Sequence, residues 1–343
     1  MKVSQIYIYP IKSLRGVSLS QAQLTSHGFE YDRTFMLLRV DDAETGQFTN
    51  LQVGRVPQLT LFTTEIQFPT AESAGEIFVH YRAPSESQAS QRSLGIPLQP
   101  TTEGLAEVKV TLYQSAAMAY NMGAKYNDWF SGCLGYEAIL VYLGSNLRPV
   151  LGNLSPNVSS TAEGKSSGWL STITNSLQLP GMAKQEGVYI TFADEAHFLV
   201  VTEASLDDVS SRLPGDEKMD VTKFRPNIVL SDSPIPWDED FWGELTVSIN
   251  DGNKVQVPLT QNCARCQSIN VDYATGELGA GESGSVLKKL MKDRRVDAGT
   301  KYSPIFGRYG FVGKGGAGRK VTVGDEATVT KRNKERTKLG TYL

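Results

Sequence analysis

The chain has 343 residues, 40% apolar and 21% charged, which fits an ordinary globular protein of about two domains and excludes a disordered or fibrous one. Its 34 Lys and Arg stand against 37 Asp and Glu, a net charge of −3, so there is no global attraction for nucleic acid. Three cysteines cannot build a disulfide framework, no signal-peptide pattern opens the chain, and no run of about 18 apolar residues offers a transmembrane anchor, so a reducing cytoplasmic setting is expected.

From the N-terminus the chain reads as short β segments. "SQIYIYPIK", "VSLSQAQLT", "TFMLLRVD", "LTLFTTEIQF", "GEIFVHYR" and "AEVKVTLY" alternate or are rich in β-branched and aromatic residues, with Gly, Pro, Asn or Asp between them. That spacing predicts a small β barrel or sandwich over residues 1–120. A connection follows over 121–151, in which "AAMAYNMGAKYNDWFSGCLG" has helical spacing of Tyr126, Trp129, Phe130 and Cys133, before the strand "EAILVYLG".

Residues 152–186 shift to Ser, Thr, Asn and Gly and read as a surface loop or insertion. A second β-rich unit is expected over 187–330. It begins with the strands "GVYITFAD" and "HFLVVT", and "TEASLDDVSSRL" follows as a helix with Thr202 or Ser205 available to cap it. "NIVLSD", "GELTVSI", "KVQVPLT", "QSINVDY" and "KVTVGDEATVT" read as further strands. The basic tail, 331–343, reads as a solvated terminus with no assigned role. The fold class is therefore mixed and β-rich (α+β), with two barrel-like parts and a few helices.

Chemistry concentrates at "NCARCQSINVDYATGE". Cys263 and Cys266 form a C-x-R-C, and four readings stand: half of a zinc site, a redox dithiol, two inert thiols, or one reactive thiolate. Only Cys133, His27, His80 and His197 remain to complete a zinc site, at no recognisable spacing. A thioredoxin-like dithiol belongs where a strand enters a helix, and here strand-like sequence lies on both sides. Arg265 between the thiols favours a thiolate. Lys12 and Ser13 after the first strand, Arg33 of "YDR", and Arg225 with Asn227 of "FRPN" offer the cations and polar groups of an anion pocket, if they converge.

These motifs occur in a fixed order, from "IYIYPIKSLRG" and "YDRTFMLL" through "EASLDDVSSRL", "KFRPNIVLSD" and "NCARCQSINVDYATGE" to "SPIFGRYG" and "VTVGD". The chain thereby resembles the MOSC family with its N-terminal β-barrel domain, and within it the mitochondrial amidoxime-reducing components and their bacterial relatives. The resemblance implies a C-terminal MOSC β-barrel domain and a pyranopterin molybdenum cofactor. It also implies that Cys266 supplies the one protein thiolate on the metal, with the role of Cys263 open. Lys12, Ser13, Arg33, Arg225 and Asn227 would hold the phosphate and pterin, while Ala264 and Arg265 would lie beside the metal. Asp194 is the candidate proton relay or orienting group, and Glu195 and Ala196 replace hydroxyl residues found in relatives.

The activity so implied is reduction of N-oxygenated compounds such as amidoximes or hydroxylamines. "GKGGAG" at 313–318 does not sit in a βαβ unit, so no internal nicotinamide or flavin site is expected. Electrons would come from an external donor, a cytochrome b5 with its reductase or a flavoprotein reductase. The alternatives are a molybdenum-cofactor carrier or sulfur-transfer module, as in the MOSC part of cofactor sulfurases, and a β scaffold without cofactor. The pyridoxal-phosphate domain that sulfurases use has no room in this chain.

Overall fold

Alternation in the sequence becomes alternation in burial: Glu76–Tyr81 and Glu107–Leu112 each bury every second residue, as a sheet with one wet face requires. The computed structural model describes residues 1–84, 91–151, 188–249 and 252–340. The segment 152–186, expected as a loop or insertion, lies outside them.

In the first half, Glu107–Leu112, Ser115–Asn121, Ala138–Tyr142, Phe35–Asp42 and Gln47–Asn50 form one sheet in that order. Phe62–Gln67, Glu76–Tyr81 and Arg92–Pro97 form a second, antiparallel throughout. Helix Ala124–Leu134 covers the core with Phe130 and Cys133, ending at Gly135 in the left-handed region. The helical pattern foreseen from "AAMAYN" onward begins late. Ser115–Asn121 is a strand paired residue by residue with Glu107–Leu112, and its alternation outweighs its alanines.

The second half is a closed barrel of seven strands. Around the ring run Lys2–Ile8, Ile228–Ser231, Phe198–Thr202, Ile305–Gly310, Lys254–Ala264, Trp242–Ser248 and Glu326–Arg332, and Glu326–Arg332 meets Lys2–Ile8 again. By sequence Lys2–Ile8 belongs with the first unit. By hydrogen bonding it closes the second. Phe198–Thr202 and Ile228–Ser231 are parallel, so the chain crosses over between them through helix Glu203–Ser211. Thr202 caps that helix by accepting from the Ser205 amide at 3.2 Å.

Three expectations need correction. "VSLSQAQLT" is not one strand: Val17–Leu19 pairs with Lys2–Ile8, while Gln21–Thr25 pairs with Lys320–Thr322. "QSINVDY" opens as the 3-10 turn Gln267–Asn270 and keeps only Val271–Asp272 as strand. The tail is not simply solvated. Arg332 pairs with Asp238 at 2.6 Å, Arg336 with Asp240 at 2.8 Å, and Thr337 O accepts from Asn262 Nδ2 at 2.9 Å. Charge read in one dimension concealed the buried Asp238 and Asp240 that receive it.

One buried acid gives the barrel a pH signature. Glu239 is fully buried, and Ser205 Oγ donates to its Oε2 at 2.9 Å while Oε1 has no partner among the described residues. Burial pushes its carboxyl up to about 7. The folded protein thus keeps a proton that the unfolded chain releases nearer 4.5. The resulting stability is complete below the unfolded value and is lost as pH rises through about 7. Glu239→Gln is expected to raise stability at pH 8.5 by about 3 kcal/mol and to change little at pH 5, as read from urea midpoints at the two pH values.

Candidate active site

A cavity of about 310 Å³ opens where the two halves meet. That is the lower end of the range in which small molecules and cofactors are held. Its residues come from distant parts of the chain: Arg33 and Tyr113 from the first half, Asp194 from the segment before Phe198–Thr202, Arg225 from the crossover after it, and Arg265 and Cys266 from the end of Lys254–Ala264.

The two thiols of the C-x-R-C have opposite fates. Cys263 lies on the last turn of the pleat and is buried, whereas Cys266, beyond the strand end, is exposed. Arg265 turns inward instead. Its Nη1 donates to Cys263 Sγ at 2.8 Å and its Nη2 to Phe224 O at 2.8 Å, while Nε is buried without a partner among the described residues. Burial pushes the Cys263 thiol up, against the pull of Arg265 and a hydrogen bond from Tyr309. Cys263 is therefore a protonated packing and positioning group, and the free thiol at the mouth is Cys266. Its Sγ lies 3.2 Å from Ser268 Oγ. A Cβ placed on Gly54 would come within 3.7 Å of that sulfur, so the first half reaches the thiol with bare backbone. Among the described residues, no group of three or more His, Cys, Asp and Glu could hold a metal ion.

The predicted cations converge around one aromatic ring. The guanidinium carbons of Arg33 and Arg225 lie 4.7 and 4.3 Å from the centroid of buried Tyr9. Arg33 Nη1 is held by Asp32 Oδ2 at 2.5 Å and Asn227 Oδ1 at 3.2 Å. Asn227 is a latch rather than a free contact: its Oδ1 also accepts from the Leu199 amide, and its Nδ2 donates to Tyr7 O. Arg225 Nη1 donates to Leu14 O at 2.6 Å, but Nη2 is buried with no partner among the described residues. Arg33 and Arg225 both line the cavity, so their charge is available to an anionic group held there.

Lys12 and Ser13 do not line the cavity. Lys12 acts through Asp194: its buried ammonium donates to Phe192 O at 2.8 Å and pairs with Asp194 Oδ1. Ser13 sits in the left-handed region at φ 72° and sends no side chain to the cavity wall. The Asp194 carboxylate is 44% exposed. Burial opposes its charge, yet Lys12, Arg33 and Arg225 together hold its carboxyl well below the usual range. Glu195 accepts from Gln261 Nε2 at 2.6 Å, and Ala196 packs against Ile190 and Phe311. Ala264 lines the wall beside Arg265.

Sequence reasoning missed Tyr113. It stands with Gln114 at the tip of the hairpin joining Glu107–Leu112 to Ser115–Asn121, and both have positive φ, 49° and 65°. Such two-residue turns favour Asn-Gly, so "YQ" pays in backbone strain and carries no turn signal. The tip places Tyr113 Oη 3.3 Å from Asp194 Oδ1. Asp194 above all, then burial and Glu195, push the phenol well above its ordinary value, so it stays protonated. Also missed was Arg148, fully buried, which binds Leu112 O at 2.9 Å, Thr191 O at 3.1 Å, Asp194 O at 3.2 Å and Ala193 O. One guanidinium thus joins the hairpin below Tyr113 to the segment carrying Asp194.

Comparison with known proteins follows this geometry. A family model described as MOSC N-terminal beta barrel domain matches residues 1–137, and one described as MOSC domain matches residues 188–328. The chain is 29% identical over 287 residues to a molybdenum cofactor sulfurase of Solanum lycopersicum, covering 80% of this chain but 30% of the sulfurase. It is 26% identical over 314 residues to mitochondrial amidoxime-reducing component 1 of Mus musculus, covering 90% and 76%. With the human mitochondrial amidoxime reducing component 2 it shares 27% over 329 residues, covering 94% and 82%.

Proposed function

Because this chain belongs to the MOSC family, in both its N-terminal beta barrel domain and its MOSC domain, we propose that it is a molybdenum-cofactor-dependent reductase of N-hydroxylated compounds. One observation carries the reading. The exposed Cys266 and the side chains of Arg33 and Arg225 line one cavity, so a soft ligand for a metal and cations for a phosphate share the same space. These residues fit a pyranopterin molybdenum group. When bound, it supplies a two-electron reductant and a Lewis acid for breaking an N–O bond.

The chain's own residues do the rest. Cys266 would hold the metal as its thiolate ligand. Arg225 and Arg33, held over Tyr9, would bind the anionic end, with Arg265 lining the same cavity. Lys12 fixes Asp194, and the Asp194 carboxylate orients the Tyr113 hydroxyl. Tyr113 is a neutral donor able to deliver the proton that the departing oxygen requires. Electrons arrive from an external protein donor, a cytochrome b5 or flavoprotein, and the setting is cytoplasmic.

Metal analysis of the purified protein, paired with amidoxime reduction by an artificial electron donor, tests this reading. Bound molybdenum with turnover is expected; bound molybdenum without turnover would favour the carrier reading that similarity to the tomato sulfurase suggests. Tyr113→Phe is expected to retain molybdenum and to lose turnover by about 10²-fold, the usual weight of one positioned acid. Unchanged kcat per bound metal would remove Tyr113 from proton delivery.

A further inference from the structure

A second recess lies between the two halves, away from Cys266. It encloses about 170 Å³ and is walled by Arg15, Thr63, His80 and Arg82 from the first half and Tyr273 from the second. Among the described residues, no carboxylate lines it. The Arg15 guanidinium stacks 4.5 Å from the Tyr273 ring centroid, and the Lys223 ammonium lies 5.6 Å from the same centroid. Among the described residues, the side chains of Arg15 and Arg82 have neither a hydrogen bond nor an ion pair. His80 Nδ1 is bonded to Ser93 Oγ at 2.8 Å, while its buried Nε2 has no hydrogen bond and only the Glu65 carboxylate 3.8 Å away.

Cations gathered at one recess repel one another, and an anion placed between them relieves that repulsion. Guanidinium forks match the tetrahedral oxygens of phosphate, and the hydroxyl of Thr63 adds a neutral partner. The volume is below the roughly 300 Å³ at which drug-sized ligands begin, so one oxyanion group fills the recess. We propose that the recess walled by Arg15, His80, Arg82 and Tyr273 binds a phosphate-type oxyanion, free or as the head of a larger molecule, and that this anion ties the two halves together. None of the residues lining it also lines the Cys266 cavity.

Sodium phosphate titrated against a chloride control of equal ionic strength, by calorimetry and thermal melting of the whole protein, tests the proposal. Saturable binding and a rise in Tm are expected. Binding should weaken at least about tenfold in Arg82→Ala and in Arg15→Ala, the loss of one charge-assisted contact, and persist in Arg225→Ala. Arg82 is exposed, so its variant keeps the fold. Tighter binding of glycerol 3-phosphate than of inorganic phosphate identifies the head of a larger molecule, and equal binding identifies the free ion. No saturation beyond the chloride control overturns the proposal. So does binding lost in Arg225→Ala and kept in Arg82→Ala, which would move the phosphate to the Cys266 cavity.

Discussion

Cys266→Ala protein is expected to contain less than about a tenth of the molybdenum of wild type and to show no amidoxime reduction, while melting at the same temperature. The thiol is exposed and its hydrogen-bond partner among the described residues is Ser268 Oγ, so its removal leaves no cavity and no orphaned buried group. What disappears is the one accessible soft ligand facing the anion-binding wall. Second-sphere changes in metal sites typically cost 10- to 100-fold in affinity, and the ligand itself costs more. Cys263→Ala gives the contrast. Its sulfur is buried and accepts from Arg265, so that variant should lose stability through packing and a freed guanidinium, yet keep its metal. Metal content by mass spectrometry, beside a melting curve, separates the two; full loading of Cys266→Ala would sink the ligand assignment.

Replacing Arg148 with methionine is expected to cost at least about 4 kcal/mol of stability, since each carbonyl orphaned in the interior costs about 1–3 kcal/mol. Four carbonyls, those of Leu112, Thr191, Ala193 and Asp194, lose a buried charged donor at once. Arg148→Lys should recover little, because an ammonium cannot spread its donors over that arc. Arg39→Met is the control. Arg39 pairs with Asp41 at the surface at 2.8 Å, and its loss should stay within about 1 kcal/mol. Urea denaturation of the three variants checks the ranking, and equal costs for Arg148 and Arg39 would show that the buried guanidinium does not organise the site.

Much of the fold could be read in the sequence because alternation survives translation into a pleat. The strands Phe35–Asp42, Glu76–Tyr81, Glu107–Leu112 and Trp242–Ser248 lie where their patterns put them, and Thr202 caps the helix whose apolar face was legible. What failed to show was local geometry without a chemical marker. The turn at Tyr113 and Gln114 has no glycine, and the 3-10 turn after Cys266 has apolar residues spaced as in a strand. The site divides in the same way. Cys266, Arg33, Arg225 and Asp194 were identifiable by motif and do line one cavity, but their meeting depends on contacts between residues some 200 positions apart. Lys12 was identifiable too, yet it acts through Asp194. Arg148 looked like any strand-end arginine, since burial and four carbonyl partners have no signature in a single sequence.

The closure of the second barrel by Lys2–Ile8 imposes an order on biogenesis. A ribosome adding about 5–20 residues per second keeps that strand waiting for roughly 15–60 s before Glu326–Arg332 emerges to flank it. Until then Trp242–Ser248 also lacks its neighbour, so the half-made barrel offers two open edges to any passing strand. Residues 188–340 produced alone lack Lys2–Ile8, so the edges of Ile228–Ser231 and Glu326–Arg332 stay open for good and the fragment should aggregate. A synthetic peptide spanning Lys2–Ile8, supplied in trans, is the shortest piece that can seal them.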